Sequence, residues 1–165
     1  MESITKNRQS PATLRAMVER AYGSGQVPTG DGWADELGHG WFNVAYRIRL
    51  RDGSDVVLKI APPPHVPVMS YEEGAMATEL AALALIRERT AVPVPAVDFA
   101  DRSRELCDAD YFFMPFVDAD NFGIVRTSLS PAESDACDEA LGVPGAERAD
   151  NGAGSLGYPG RQLGD

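Results

Sequence analysis

Hydrophobic and polar residues alternate along residues 44–50, which predicts a β-strand with one buried face. Asp52-Gly53 follows this strand and is typical of a hairpin turn, because glycine adopts a positive φ without steric cost. Residues 56–60 form a second apolar run that only Lys59 interrupts. The apolar residues that share one face of the first strand are Val44, Tyr46, Ile48 and Leu50. The pattern therefore predicts a β-hairpin with a lysine near the end of its second strand.

Apolar residues at helical spacing predict three helices outside the hairpin. The first has Ser10 as its N-cap and ends at Gly23. The second and longest covers residues 69–89, and the third begins at Ser130-Pro131 and reaches Leu141. The longest helix carries an apolar stripe at steps of three and four residues: Met76, Leu80, Leu83 and Ile86.

Short apolar segments predict three more strands, at residues 33–37, 96–99 and 111–117, and Pro115 is expected to end the last of them. Residues 1–9 are polar and are predicted to be flexible. Residues 142–165 are rich in glycine and have few large apolar side chains, so we expect a disordered tail there.

Composition narrows the possible partners. The formal net charge of −10 argues against nucleic acid or an anionic membrane as the main partner. The two cysteines and two histidines match no metal-ligand spacing, so no metal site is predicted. With so few cysteines and no apolar run long enough to cross a membrane, the sequence is typical of a reduced, cytoplasmic protein.

Two glycines precede the hairpin and suggest a ligand-binding turn. Gly38 and Gly40 flank His39, and a backbone without Cβ atoms can bring its N–H groups close to a ligand. Lys59 could reach the same ligand. The alternative is an ordinary hairpin whose lysine lies along apolar surface. Glu79, beside the apolar stripe of the long helix, is either solvated or paired with Lys59.

Taken in order, these motifs resemble the N-terminal lobe of the aminoglycoside phosphotransferase family, which has a protein-kinase-like fold. The resemblance covers residues 10–141. It rests on these segments: Leu37-Gly38-His39-Gly40, Asn43, Tyr46, residues 56–60, residues 76–83, residues 92–95 and residues 113–117. It implies an α+β fold, with a twisted antiparallel sheet of about five strands, one long packed helix and short terminal helices.

The resemblance also implies a set of nucleotide-binding residues: Gly38, His39, Gly40, Asn43, Lys59, Glu79, Met114, Pro115 and Val117. The glycine turn would hold the phosphates, with Asn43 where protein kinases often carry a third glycine. Lys59 would contact the α- and β-phosphates while paired with Glu79. Met114 would lie at the back of the adenine pocket. The Pro115 carbonyl and the Val117 N–H would bind the adenine edge.

The family catalyses ATP-dependent phosphoryl transfer to a small-molecule hydroxyl, with Mg²⁺ bound by a second lobe that also carries a His-Gly-Asp loop. No His-Gly-Asp occurs here, and no histidine follows His65. We therefore assign no catalytic residue and no metal ligand, and expect residues 1–165 to be inactive alone. Truncation, a frame shift or one half of a split enzyme would each explain this sequence. The alternative function is a non-catalytic nucleotide-binding or interaction module, and exposed surface meant for a second lobe could lead to self-association.

Overall fold

The computed structural model describes residues 6–38, 43–66 and 74–150, with side chains up to residue 140. The chain divides into two units, Met1–Asp118 and Ala119–Asp165. This boundary falls inside the range 10–141 that the sequence predicted as one lobe. The reason is that every strand of the sheet precedes Asp118, and the chain beyond it contributes only helices.

An antiparallel five-stranded sheet forms the centre of the first unit, with strand order β1-β2-β3-β5-β4. Its strands are β1 Ala34–Glu36, β2 Val44–Arg49, β3 Asp55–Ile60, β4 Phe99–Asp101 and β5 Tyr111–Pro115. Gly53 has φ of 89° in the turn between β2 and β3, as the hairpin prediction requires. The predicted α+β fold class is confirmed.

The described residues form four α-helices: α1 Pro11–Tyr22 and α2 Ala75–Arg89 in the first unit, and α3 Phe122–Val125 and α4 Pro131–Asp150 in the second. Short 3-10 turns occur at Ser24–Gln26 and Arg126–Ser128. The Ser10 side chain accepts a hydrogen bond from the Thr13 N–H, so the predicted N-cap is present. None of the helices in the described part of the chain is long and apolar enough to cross a membrane.

The structure corrects two boundaries. The strand predicted at residues 96–99 lies at Phe99–Asp101, because the ladder pairs Phe99 with Phe113 and Asp101 with Tyr111. The third predicted helix does not end near Leu141 but continues to Asp150, so residues 142–150 are helical where we expected disorder. Residues 146–149 are alanine, glutamate and arginine, which have high helix propensity. This propensity outweighs the helix-breaking tendency of the nearby glycines and proline. Residues 151–165 lie outside the described part.

One face of the sheet packs against α1 and forms the main core. We call it the core face. Three α1 side chains enter this core: Leu14, Met17 and Val18. The sheet contributes alternate residues of its central strands: Val44, Tyr46, Ile48, Val56, Leu58, Ile60, Tyr111 and Phe113. The Tyr22 ring meets the Phe113 ring edge-on at 5.3 Å between centroids, which joins the end of α1 to β5.

A buried carboxylate reinforces this core. Asp101 is only 6% exposed, and it accepts hydrogen bonds from Arg20 at 2.7 Å and from the Tyr111 hydroxyl at 2.9 Å. Burial raises the pKa of the Asp101 carboxyl, but the hydrogen bonds from Arg20, Ser103 and Tyr111 outweigh it. The pKa therefore lies well below its usual value. The network connects α1 to β4 and β5.

Candidate functional site

The opposite side of the sheet differs in character, and we call it the second face. Strand pairing places these residues on it: Ala45, Arg47, Val57, Lys59, Phe112 and Met114. Lys59 lies between Ala45 of β2 and Phe112 of β5 in the ladder. The small Ala45 side chain leaves room on one side of the lysine, and the buried Phe112 ring supports it on the other.

Lys59 forms an ion pair with Glu79 of α2, and their side chains are 26% and 31% exposed. The Lys59 ammonium also lies 5.8 Å from the centroid of the Phe112 ring, within the range of a cation–π contact. Glu79 reaches the sheet because it follows Met76, the buried residue of α2, by one helical turn. The structure therefore brings together the lysine and the glutamate that the resemblance paired.

The predicted apolar stripe is the less exposed side of α2, although its burial is incomplete. Met76 is buried, and the next three stripe positions, Leu80, Leu83 and Ile86, are half-buried. Leu85 is 51% exposed. Since a half-exposed ion pair contributes about 1 kcal/mol or less, the Lys59–Glu79 contact is a weak reason for the fold of α2. Binding of a ligand explains the charge of Lys59 at this position better than stability does.

The Pro115 carbonyl, at the end of β5, has no hydrogen-bond partner among the described residues. Phe116 donates its N–H to the Asp55 carbonyl at 3.1 Å, so these two residues form a hydrogen-bonded pair of the antiparallel ladder. Such pairs alternate with non-hydrogen-bonded ones, so the next hydrogen-bonded residue of β5 is Met114. Pro115 lies between them, and its carbonyl points away from β3. β4 does not cover it, because that strand begins at Phe99, which pairs with Phe113. The Pro115 carbonyl therefore remains available to a ligand.

The other positions that the resemblance assigns to adenine lie beside this edge. The N–H of Val117 has no hydrogen-bond partner within the described residues, and Val117 is 60% exposed. Met114 is half-buried and pairs with Val57. Met114, Pro115 and Val117 therefore lie together at or just beyond the end of β5, and their binding role stays a prediction.

The glycine turn is only partly described. Gly38 lies in an exposed turn, while His39 and Gly40 fall in residues 39–42, outside the described part. Asn43 follows directly, and its Oδ1 is the only buried side-chain oxygen or nitrogen without a partner among the described residues. An asparagine amide can turn end over end at little steric cost, so it could offer a ligand either its carbonyl or its NH₂.

A further cluster at the outer end of the second face was missed by the sequence analysis. Arg47 binds the Asp55 carboxylate at 2.5 Å and lies over the Phe116 ring at 4.4 Å from the ring centroid. Hydrogen bonds from Arg49 and Arg47 lower the pKa of Asp55 to about 2. The alternation of β2 placed Arg47 away from the core, but no sequence signal indicates its contact with Phe116.

A cavity of about 280 Å³ lies elsewhere in the first unit. It lies between residues 61–66, the start of α2 and the segment that carries Arg102 and Arg104, and neither Lys59 nor Val117 lines it. Both arginines pair with Asp110, whose single carboxylate offsets only one of their two charges. Among the described residues, none of those predicted to bind the nucleotide lines this cavity, so the second face is the better candidate site.

The sheet order, the helix that supplies a glutamate to the β3 lysine and the open end of β5 together define a protein-kinase-like N-terminal lobe. The family comparison agrees with this class. The sequence model of the phosphotransferase enzyme family matches residues 33–147. The chain belongs to this family, and the prediction of an aminoglycoside-phosphotransferase-type fold is confirmed.

The solved structures that are similar to this chain include two from bacteria. One is a candidate aminoglycoside phosphotransferase from Ralstonia eutropha, with 17% identity and a TM-score of 0.47. The other is a candidate fructosamine-3-kinase from Thermobifida fusca, with 24% identity and a TM-score of 0.46. Each match covers 68% of this chain, but only 29% and 33% of the two relatives, respectively. No curated protein matches the sequence.

Proposed function

We propose that this chain is the ATP-binding part of a phosphotransferase that acts on a small-molecule hydroxyl. The observation that carries the proposal is the Lys59–Glu79 pair on the second face, beside the open end of β5. A phosphotransferase must hold the nucleotide phosphates and orient the transferred group, and a fixed ammonium performs the first task.

The residues present fit a nucleotide. Lys59 supplies a positive charge for phosphate oxygens, and Glu79 restricts its position without burying it. Val57 and Phe112 are buried on the second face and form an apolar layer beneath Lys59. An adenine edge needs one acceptor and one donor, which the Pro115 carbonyl and the Val117 N–H supply. The Asn43 amide adds a polar group beside the glycine turn.

Mg²⁺ fits less well. Among the described residues no three histidine, cysteine, aspartate or glutamate side chains converge on one point. Hard divalent cations in proteins need such oxygen ligands or the phosphates of the substrate. We therefore derive no step that depends on a metal bound by these residues, and assign them only the binding of the nucleotide.

Nucleotide titration of purified protein tests this proposal. ATP should bind to the wild type, and Lys59→Ala should weaken it roughly 10- to 150-fold, because a charge-assisted contact is lost. Arg89→Ala, which removes the same charge from the exposed last turn of α2, is the matched control and should bind like the wild type. Equal affinity of wild type and Lys59→Ala in calorimetry would remove Lys59 from the site.

Residues 1–165 alone should bind nucleotide without turning it over. The sequence contains no His-Gly-Asp, and loss of a positioned general base costs roughly 10²–10⁴ in rate. Protein incubated with Mg-ATP, aminoglycosides and amino alcohols should therefore yield no phosphorylated product above background by mass spectrometry. Multiple turnover that Lys59→Ala abolishes would contradict this expectation, and Asp118 and Asp120 would be the first carboxylates to test.

A further inference from the structure

Three contacts form a closed ring at the outer end of the second face. The Asp55 carbonyl accepts the Phe116 N–H at 3.1 Å, the Phe116 ring lies under the Arg47 guanidinium at 4.4 Å, and Arg47 binds the Asp55 carboxylate at 2.5 Å. Each residue contacts the other two. Arg47 and Asp55 belong to the β2–β3 hairpin, whereas Phe116 belongs to the segment after β5.

Phe116 lies in the chain between the two residues that are proposed to bind the adenine edge. Pro115 precedes it and Val117 follows it, and both are exposed. Within the described part of the chain, the only backbone bond that holds this segment to the sheet beyond β5 is the one from the Phe116 N–H to Asp55. The direction of the Pro115 carbonyl and of the Val117 N–H therefore depends on how firmly Phe116 is held.

Arg47 adds a second restraint on Phe116, through its ring. A guanidinium stacked on an aromatic face restrains the ring and thereby the torsions of its residue. The charge of Asp55 does not require Arg47, because Arg49 binds the same carboxylate through two hydrogen bonds at 3.0 and 3.1 Å. Arg49, in contrast, contacts no aromatic ring among the described residues. The contribution peculiar to Arg47 is its hold on Phe116.

We infer that Arg47 is a positioning residue for the nucleotide base, which fixes the Pro115–Val117 segment through the Phe116 ring. This inference rests on the proposed nucleotide site. It assigns the two ends of the second face different tasks, since Lys59 acts on the phosphates and Arg47 acts on the base. The affinity for a ligand that has phosphates but no base should therefore not depend on Arg47.

The test compares ATP with inorganic tripolyphosphate, which keeps the charge of the phosphates and lacks the base. Arg47→Ala should weaken ATP binding roughly 3- to 10-fold and leave tripolyphosphate binding unchanged. Lys59→Ala should weaken both ligands. Arg49→Ala is the matched control, because it removes the same charge from the same carboxylate without touching the ring, and should bind ATP like the wild type.

A second pair of variants approaches the contact from the ring. Phe116→Leu removes the aromatic face and should weaken ATP binding as Arg47→Ala does. Phe116→Tyr keeps the aromatic face and should bind ATP like the wild type. This pair also decides the question if Arg47→Ala fails to fold, which far-UV circular dichroism would show.

The outcomes separate the inference from the proposed function. If the wild type binds ATP and both Arg47→Ala and Phe116→Leu bind it equally well, the inference is overturned while the nucleotide site stands. If Arg47→Ala loses ATP and tripolyphosphate to the same extent, its role is general electrostatics or folding, and the inference is again overturned. If the wild type binds no ATP, the proposed function and the inference both fail.

Discussion

The two faces of the sheet use neighbouring residues for opposite purposes. On β3, Leu58 is fully buried in the core face, whereas Lys59 next to it pairs with a glutamate on the second face. The core face is completed by α1 with apolar side chains and aromatic contacts. The second face instead carries cationic side chains, and two of them, Arg47 and Lys59, each lie beside an aromatic ring.

This difference indicates which face is responsible for stability and which for binding. A buried apolar side chain contributes to stability through area removed from water, whereas half-exposed ion pairs contribute little. Charges on the second face are poorly explained by folding alone. Substitutions on the core face should therefore affect the free energy of unfolding, and those on the second face should affect nucleotide affinity.

The largest expected effect is on the core face. Phe113→Ala should lower the free energy of unfolding by about 3–5 kcal/mol, since the ring is fully buried between Tyr22 and Tyr111 and its removal leaves a cavity. Chemical denaturation followed by circular dichroism measures this. A variant as stable as the wild type would contradict the claim that the core face is responsible for stability.

An intermediate effect is expected for the buried carboxylate. Asp101→Asn should cost about 1.5–3 kcal/mol at neutral pH, because charge-assisted hydrogen bonds from Arg20 and Tyr111 are weakened. The pKa of Asp101 is lower in the folded state. Its stabilising effect is therefore complete above the unfolded pKa of about 3.9 and is lost as the pH falls toward the folded value.

Denaturation curves between neutral pH and about pH 3 test the sign of this dependence. The difference in stability between wild type and Asp101→Asn should shrink as the pH falls. A difference that grows in acid would mean that the carboxylate does not stabilise the fold as an anion.

The smallest effect on stability is expected for the ion pair of the second face. Glu79→Gln should change the free energy of unfolding by less than about 1 kcal/mol, because both partners are partly exposed. It should still weaken ATP binding, since Lys59 loses the group that restricts its position. Glu88→Gln, on the exposed side of α2, is the control for both measurements. A large loss of stability with unchanged affinity would make the pair structural.

Sequence patterns predicted the core face better than the second face. Strict alternation in β2 and the Asp52-Gly53 turn fixed the hairpin, and the cap at Ser10 fixed the start of α1. For Glu79 the sequence pattern left two alternatives, solvation or a pair with Lys59, and only the family resemblance favoured the pair, because residues 20 positions apart on different elements have no local signal. The contact of Arg47 with Phe116 joins β2 to the segment after β5, a strand that is not a neighbour of β2 in the sheet, and no local pattern encodes it.

Adjacent methyl groups on β3 offer the most direct test that the second face binds the nucleotide. In an ATP titration followed by methyl NMR, the account predicts large shift changes for Val57, on the second face, and small ones for Val56 and Leu58, on the core face. Val117 should shift with Val57, and Lys59→Ala should raise the ATP concentration needed for both. Shifts confined to Ala77, which lines the cavity at the start of α2, or shifts absent from Val57 at saturating ATP, would contradict the account.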